Sequence, residues 1–230
     1  MLLKEYSQDT SPPFQLEIHE QFIVHNALKR AFDILFSLSA LILGAALFAL
    51  IALLVKLSSP GPVLYCSLRI GRKGRLFKFW KFRSMHRDAD QRLEVMLSSN
   101  PALQTEWQQY FKLKNDPRLT SIGSFLRKTS LDELPQFWNV LIGDLSIVGP
   151  RPYLPREAES IHKILGSQMQ KLFSMRPGLT GIWQTSGRSA LTFKERVALE
   201  VEYVDKRCFL FDLNLILKTI PALIRGKGAC

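Results

Sequence analysis

The residues best equipped for chemistry in this chain are two adjacent carboxylates, Asp132 and Glu133, in a segment (residues 127–136) that reads Arg-Lys-Thr-Ser-Leu-Asp-Glu-Leu-Pro-Gln. One reading of Ser130-x-x-Glu133 is a capping box, in which the acids only stabilise a helix start. Pro135 strains that reading: with Ser130 as N-cap it falls at the fifth helical position, where an N–H is needed. A helix beginning at Asp132 instead puts Pro135 in its first turn. Either way both carboxylates sit at a helix N-terminus, which favours their ionised form. An ionised carboxylate can attack phosphorus, dividing one hard transfer into two easier ones, and its neighbour suits Mg²⁺, which takes carboxylate and phosphate oxygens. Around the pair the sequence places Arg127, Lys128, Arg151, Arg176 and Arg188, and guanidinium forks match phosphate oxygens. Gly149-Pro150-Arg151-Pro152 makes a stiff corner that aims Arg151, while residues 176–181 and 186–188 form glycine-bearing loops able to approach a phosphate closely. Ordinary connecting loops share that composition.

These groups need elements to hold them. Residues 34–55 carry no charge and are rich in Leu, Ala, Ile and Phe. As a helix the run is about 33 Å long, enough for the hydrocarbon core of a bilayer, and it is apolar all round. Residues 56–87 then hold nine Lys/Arg and no Asp or Glu, which marks a cytoplasmic, headgroup-facing flank. Because Lys29 and Arg30 put positive charge on the other flank too, a helix that enters one leaflet and turns back keeps both ends inside. Ser59-Pro60-Gly61-Pro62 ends this helix. A strand-like stretch at 63–65, a basic turn at 71–75 and the aromatic–basic run at 76–83 follow. That run reads either as a strand with rings at headgroup level or as a single-strand nucleic-acid surface. Apolar spacing predicts two amphipathic helices parted near Asn100-Pro101, and a C-terminal helix before Pro221 that is core or membrane surface. Residues 1–28 read as a polar lead-in.

The whole chain has 230 residues, 47% of them hydrophobic and 22% charged, with a formal net charge of +11. That composition excludes a disordered tail or a collagen-like chain, and it favours an anionic partner. Three cysteines are too few for a disulfide framework, and four histidines without ligand spacing argue against a zinc site.

The chain resembles the bacterial sugar transferases, the monotopic polyprenyl-phosphate phosphoglycosyl transferases. The resemblance spans about residues 28–225 and rests on KRAFDILFS (29–37), SSPGPVLY (58–65), KFRSM (81–85), TSLDELPQFWNVLIGDLSIVGPRP (129–152) and RPGLTGIWQTSGR (176–188). It implies an α+β, mostly helical fold with a membrane-embedded re-entrant helix (29–60) and a compact cytosolic catalytic domain (61–230) of short strands and interfacial helices. It also implies that Asp132 is the nucleophile and Glu133 its partner at Mg²⁺. Lys81, Arg127 and Arg151 fall at motif positions that contact phosphates, with Arg176 and Arg188 in the loops beside them. The implied reaction moves a sugar-1-phosphate from a UDP-sugar to polyprenyl phosphate with release of UMP, at the cytoplasmic face of a bacterial inner membrane, as the opening step of a lipid-linked glycan such as an exopolysaccharide. The implied partners are the UDP-sugar, the polyprenyl phosphate and the membrane, with no nucleic acid and with self-association left open. Three positions depart from the family pattern: Ala45-Ala46, behind Gly44, stand where Ser-Pro is usual, Ser67 replaces a Gln, and Glu200 replaces an Asp. The alternative is a non-enzymatic anchored binder of nucleic acid or anionic lipid, which has no use for the paired acids.

Overall fold

The structure, a computed structural model, describes residues 20–110, 113, 116–186 and 191–224. The apolar run is not one helix but two, α1 (Glu20–Leu43) and α2 (Ala45–Ser58), whose axes turn by 63° at Gly44. Backbone pairing continues through the bend, Gly44 N–H to Ala40 O and Phe48 N–H to Gly44 O, both at 2.9 Å. A Cβ at Gly44 would lie 2.5 Å from Ala40 O, so this bend requires a residue without a side chain. Helix α1 also begins earlier than expected: residues 20–28 of the supposed lead-in are helical, and residues 1–19 lie outside the described residues.

The burial of α1 and α2 is inverted relative to a soluble amphipathic helix. Lys29, Asp33 and Ser37, four residues apart on one face, are 8%, 1% and 0% exposed, whereas Leu35, Ile42, Leu43, Leu50, Leu53 and Leu57 are all more than half exposed. The polar stripe staples the helix to the rest of the chain. Lys29 Nζ reaches Asp212 Oδ2 at 2.5 Å, and Asp33 Oδ1 accepts from Ser146 Oγ and the Ile147 N–H at 3.1 and 2.9 Å. Arg30 donates to the Val140 and Leu141 carbonyls at 2.7 and 2.9 Å. The two cations that read as free flanking charges are therefore both committed inside the protein.

Next comes an antiparallel hairpin, β1 (Leu64–Ile70) and β2 (Leu76–Phe82), in register from Leu64 opposite Phe82 to Ile70 opposite Leu76. Strand β2 turns Phe77, Phe79 and Phe82 into the core; the rings of the aromatic–basic run are packing residues, not a stacking surface for bases. Arg83, 6% exposed, ends this strand by donating to Pro60 O at 2.7 Å, Ser59 O at 2.6 Å and Val55 O at 3.3 Å. It thereby caps the exit of α2, where unpartnered carbonyls would otherwise be buried. Arg83→Met is expected to lower stability by about 3–5 kcal/mol, since three acceptors lose their donor at once. Chemical unfolding in detergent, with an unchanged midpoint as the contrary result, checks it.

Helices α3 (Ala89–Ser99) and α4 (Pro101–Tyr110) part at Asn100 as the spacing predicts, and Asn100 Oδ1 caps the second by accepting from the Ala102 and Leu103 N–H groups. The remaining elements follow: α5 (Ser121–Thr129), α6 (Gln136–Ile142), β3 (Ser146–Val148), α7 (Ala158–Leu165), α8 (Met169–Leu172), β4 (Gly178–Thr180), α9 (Ile182–Thr185), α10 (Phe193–Lys206) and α11 (Phe209–Ile224). The described residues are mostly helical, with two small two-stranded sheets, β1–β2 and the parallel pair β3–β4. In that pair a Cβ on Gly178 would meet Gly149 N at 2.1 Å. Gly178 thus serves the close approach of two strands, not that of a phosphate. Pro221 lies inside α11 and does not end it. One side of α11 buries Asp212 and Leu215, while Leu210, Leu217 and Ile220 stay more than half exposed.

Candidate active site

Ser130 does not start an α-helix, and its side chain makes no capping bond. It is the left-handed C-cap of α5, with φ 58°, and its N–H returns to Arg127 O and Leu126 O. The reversal drops the chain into a tight turn over Leu131–Glu133 held by i to i+3 bonds, and α6 begins only after Pro135, which has no N–H to give. Asp132 and Glu133 therefore ride a strained turn between two helices rather than a capping box. The spacing that fails here succeeds at Thr192–Glu195, where both reciprocal bonds of a capping box start α10.

The turn delivers Asp132 to a buried position, 4% exposed, and leaves Glu133 half-exposed beside it. Lys81 holds both: its Nζ is 2.5 Å from Glu133 Oε1 and 3.4 Å from Asp132 Oδ2. Asn139 fixes Lys81 to the dyad. From the middle of α6 it donates to Lys78 O at 2.7 Å and accepts from the Trp80 N–H at 3.2 Å, locking β2 one residue from Lys81 to the helix that follows the acids. Asn139 is completely buried and was not foreseen; the signal available was a lone Asn in an otherwise apolar Phe-Trp-Asn-Val-Leu-Ile run.

Electrostatics divide the two acids. Burial pushes Asp132 above the usual carboxylate range; Lys81 opposes that, Glu133 adds to it and Arg127 opposes it again. Burial also works against ionised Glu133, but Lys81, then Arg151 and Arg69, overcome it and hold it below its usual range. For Lys81, burial favours the neutral amine, and the two carboxylates outweigh it and hold its pKa above normal. Arg127, whose Nε donates to Ser84 Oγ at 3.0 Å, thus acts on Asp132, while Arg151 and Arg69 act on Glu133.

Of the basic residues singled out in the sequence, Lys81, Arg127 and Arg151 are brought to the acids. Arg176 is not: its Nε donates to Gly143 O at 2.7 Å, at the far end of α6, where its charged neighbours are Arg30, Arg72 and Asp33. Arg188 lies outside the described residues. Arg69, whose NH1 donates to Pro152 O at 3.1 Å, joins the site without having been foreseen as a ligand-facing residue.

Glu200 on α10 is fully buried; neither carboxylate oxygen makes a well-aligned hydrogen bond, and the nearby Arg151 backbone N–H and guanidinium only partly offset the burial. Burial pushes its pKa up to about 8, so the folded protein holds it neutral at pH 7. Between the unfolded value near 4.5 and about 8, the unfolded chain has released this proton and the folded one has not, so stability falls as pH rises through that window and levels above it. The expected drop is roughly 3–5 kcal/mol. Glu200→Gln should flatten the decline of the thermal midpoint between pH 5 and 8; an unchanged slope would refute the assignment.

A carboxylate pair bridged by one ammonium, with the Arg127, Arg151 and Arg69 guanidinium charges acting on it, is a candidate enzyme centre suited to an anionic, phosphorylated substrate. Comparison with known proteins gives the same class: the bacterial sugar transferase family model matches residues 24–226, and the chain belongs to that family. It is 41% identical over 229 residues to the exopolysaccharide production protein ExoY of Rhizobium meliloti, covering 99% of this chain and 100% of that protein. It is 42% identical to the undecaprenyl-phosphate galactose phosphotransferase of Salmonella typhimurium, over 88% of this chain and 41% of that protein. With the UDP-glucose:undecaprenyl-phosphate glucose-1-phosphate transferase of Escherichia coli it shares 40% identity, over 90% of this chain and 42% of that protein.

Proposed function

We propose that this enzyme moves a sugar-1-phosphate from a UDP-sugar to polyprenyl phosphate through a covalent intermediate on Asp132, opening the assembly of an exopolysaccharide or similar glycan. The observation that carries the reading is the Lys81–Glu133–Asp132 cluster in a chain of this family. Of the two acids, Asp132 is the one pushed upward in pKa, and a more basic carboxylate is the stronger nucleophile once ionised. Its Oδ attacks the β-phosphorus of the donor, the bond from that phosphorus to the bridging oxygen breaks, and UMP leaves with the electron pair. An oxygen of polyprenyl phosphate then attacks the same phosphorus and displaces the Asp132 carboxylate, giving the diphosphate-linked sugar. Lys81, Arg127 and Arg151 hold phosphate oxygens during both steps.

Mg²⁺ fits the donor set: two adjacent hard carboxylates, already bridged by one cation, suit an ion that takes one or two carboxylates plus substrate phosphates and waters. Asp132 and Glu133 would hold it, and when bound it neutralises charge on the diphosphate.

The site works at a bilayer, on the cytoplasmic face of the inner membrane. No single described helix is long and apolar enough to cross a membrane, but α1 and α2 together form a bent apolar pair. With its polar stripe pinned to the catalytic domain and its leucines turned outward, the pair suits entry into one leaflet and return, with both ends on the side of the domain.

The test is UMP release by detergent-solubilised protein given Mg²⁺, polyprenyl phosphate and a panel of UDP-sugars. Release with a particular donor supports the reading and identifies the sugar; no release with any donor, from folded protein, defeats it.

A further inference from the structure

Outside the dyad the most unusual charge in the molecule is Arg196. It sits in the first turn of α10, where the helix dipole disfavours a cation. Among the described residues no carboxylate lies within salt-bridge distance of it, and its buried Nε has no hydrogen-bond partner. Instead its guanidinium lies 5.8 Å from the centre of the Trp183 ring and 6.0 Å from that of Phe193. Arg151, already placed beside the dyad, lies over the same Trp183 ring at 5.3 Å and over Tyr153 at 6.0 Å. Burial and the nearby Arg151 charge both pull the Arg196 guanidinium below its usual pKa. Two like charges thus share one indole, whose own buried N–H also lacks an acceptor.

Among the described residues this repulsion is only partly balanced. The carboxylate facing these guanidinium groups is Glu157, 3.7 Å from Arg151, and buried Glu200 is neutral at pH 7. Among the described residues around the centre, Lys81, Arg127, Arg69, Arg151 and Arg196 face Asp132, Glu133 and Glu157, an excess of two positive charges. Repelling cations with unpartnered donors are costly unless an anion joins them.

We propose that Arg196 is a substrate-binding residue that, together with Arg151 across Trp183, takes the two phosphates of a nucleoside diphosphate donor. Arg151, whose charge acts on Glu133, holds the phosphate that is attacked, and Arg196, on the same indole and next to Arg151 but not among the charges that act on the two acids, holds the one that departs in UMP. The inference rests on the donor class proposed above and adds the residue that grips the leaving group.

The test is calorimetric titration of the detergent-solubilised full chain with UMP and UDP, beside steady-state kinetics. For Arg196→Ala the expected result is binding of both nucleotides weakened about 10–100-fold, as for loss of a charge-assisted contact. The donor KM should rise by a similar factor with polyprenyl-phosphate KM unchanged, and Arg196→Lys should recover part of the loss. If Arg196→Ala does not fold, Arg196→Lys and Arg196→Gln, which keep the side-chain stem, carry the same comparison. Variants that bind UMP and UDP as the wild type does overturn the inference and leave the reaction standing; wild-type protein that binds neither nucleotide overturns the uridine-donor reading and the inference with it.

Discussion

Asp132→Asn is expected to abolish UMP release, by at least about a thousandfold, while the protein stays folded and membrane-associated. The substitution keeps the shape of a side chain that is 4% exposed and removes only the negative charge to which the proposed mechanism assigns the attack on phosphorus. Lys81 keeps its 2.5 Å partner Glu133, so the cluster retains a compensated cation and the turn at Leu131–Glu133 keeps its backbone bonds. Loss of activity from unfolding can therefore be separated from loss of the nucleophile by the thermal midpoint. A second readout distinguishes nucleophile from general base. Wild-type protein given a UDP-sugar without acceptor should gain the mass of one sugar phosphate, and Asp132→Asn should not. Glu133→Gln, which leaves Asp132 in place, should still form the adduct, more slowly. An adduct in Asp132→Asn that is absent in Glu133→Gln would exchange the two roles, and turnover with no adduct in any form would replace the covalent path by direct transfer.

The candidate site residues stand out in the sequence because their types are rare in their setting: two acids amid arginines, and a charge-free run between basic blocks. What could not be read was direction. Lys29 and Arg30 have the composition of a membrane flank, yet Asp212 and the carbonyls at the end of α6 claim them; those partners lie more than 100 positions away, where no local pattern reaches. The aromatic–basic strand reads equally as a base-stacking surface or a core strand, and only the register with β1 decides that its phenylalanines face inward. Ser130-x-x-Glu133 failed as a capping box because the spacing does not record which helix owns Ser130. The residue closes α5 instead of opening α6, and the missing N–H of Pro135 delays the next helix by a further turn. Arg176 shows the same limit. Its loop resembles a phosphate grip, but β3–β4 pairing spends the glycine on strand packing and turns the guanidinium toward Gly143. Gly44 is the opposite case: the sequence lacks the usual Ser-Pro, and the helix still breaks, because a residue without Cβ permits the approach to Ala40 O that the bend demands.

Lys81→Gln is expected to reduce turnover at least about a hundredfold, an effect second only to loss of Asp132, for two reasons that act together. Among the described residues Lys81 is the one cation whose nitrogen touches both acids. Without it, two carboxylates on neighbouring residues face each other with only Arg127, Arg69 and Arg151 at longer range. Like charges at such separation disfavour double ionisation, and the acid already pushed upward, Asp132, is the one that takes the proton and ceases to be a nucleophile. The second loss is of a positive group at the place where the proposed reaction puts the donor phosphate, an electrostatic contribution worth about 2.7–4 kcal/mol when one preorganised donor is removed from a water-poor site. Lys81→Arg keeps the charge and should restore part of the rate, since the longer guanidinium can still face Glu133 but does not match an ammonium shared by two acids. Nucleophile loss and phosphate loss predict different kinetics: the first lowers kcat and slows adduct formation at saturating donor, the second raises donor KM. Both should appear in Lys81→Gln, whereas the Arg196 variants should show the second alone. A Lys81→Gln enzyme with wild-type kcat would mean that the remaining guanidinium groups suffice to keep Asp132 ionised, and that Lys81 serves only to lock β2 to the catalytic turn, a task already shared by Asn139 through Lys78 O and the Trp80 N–H.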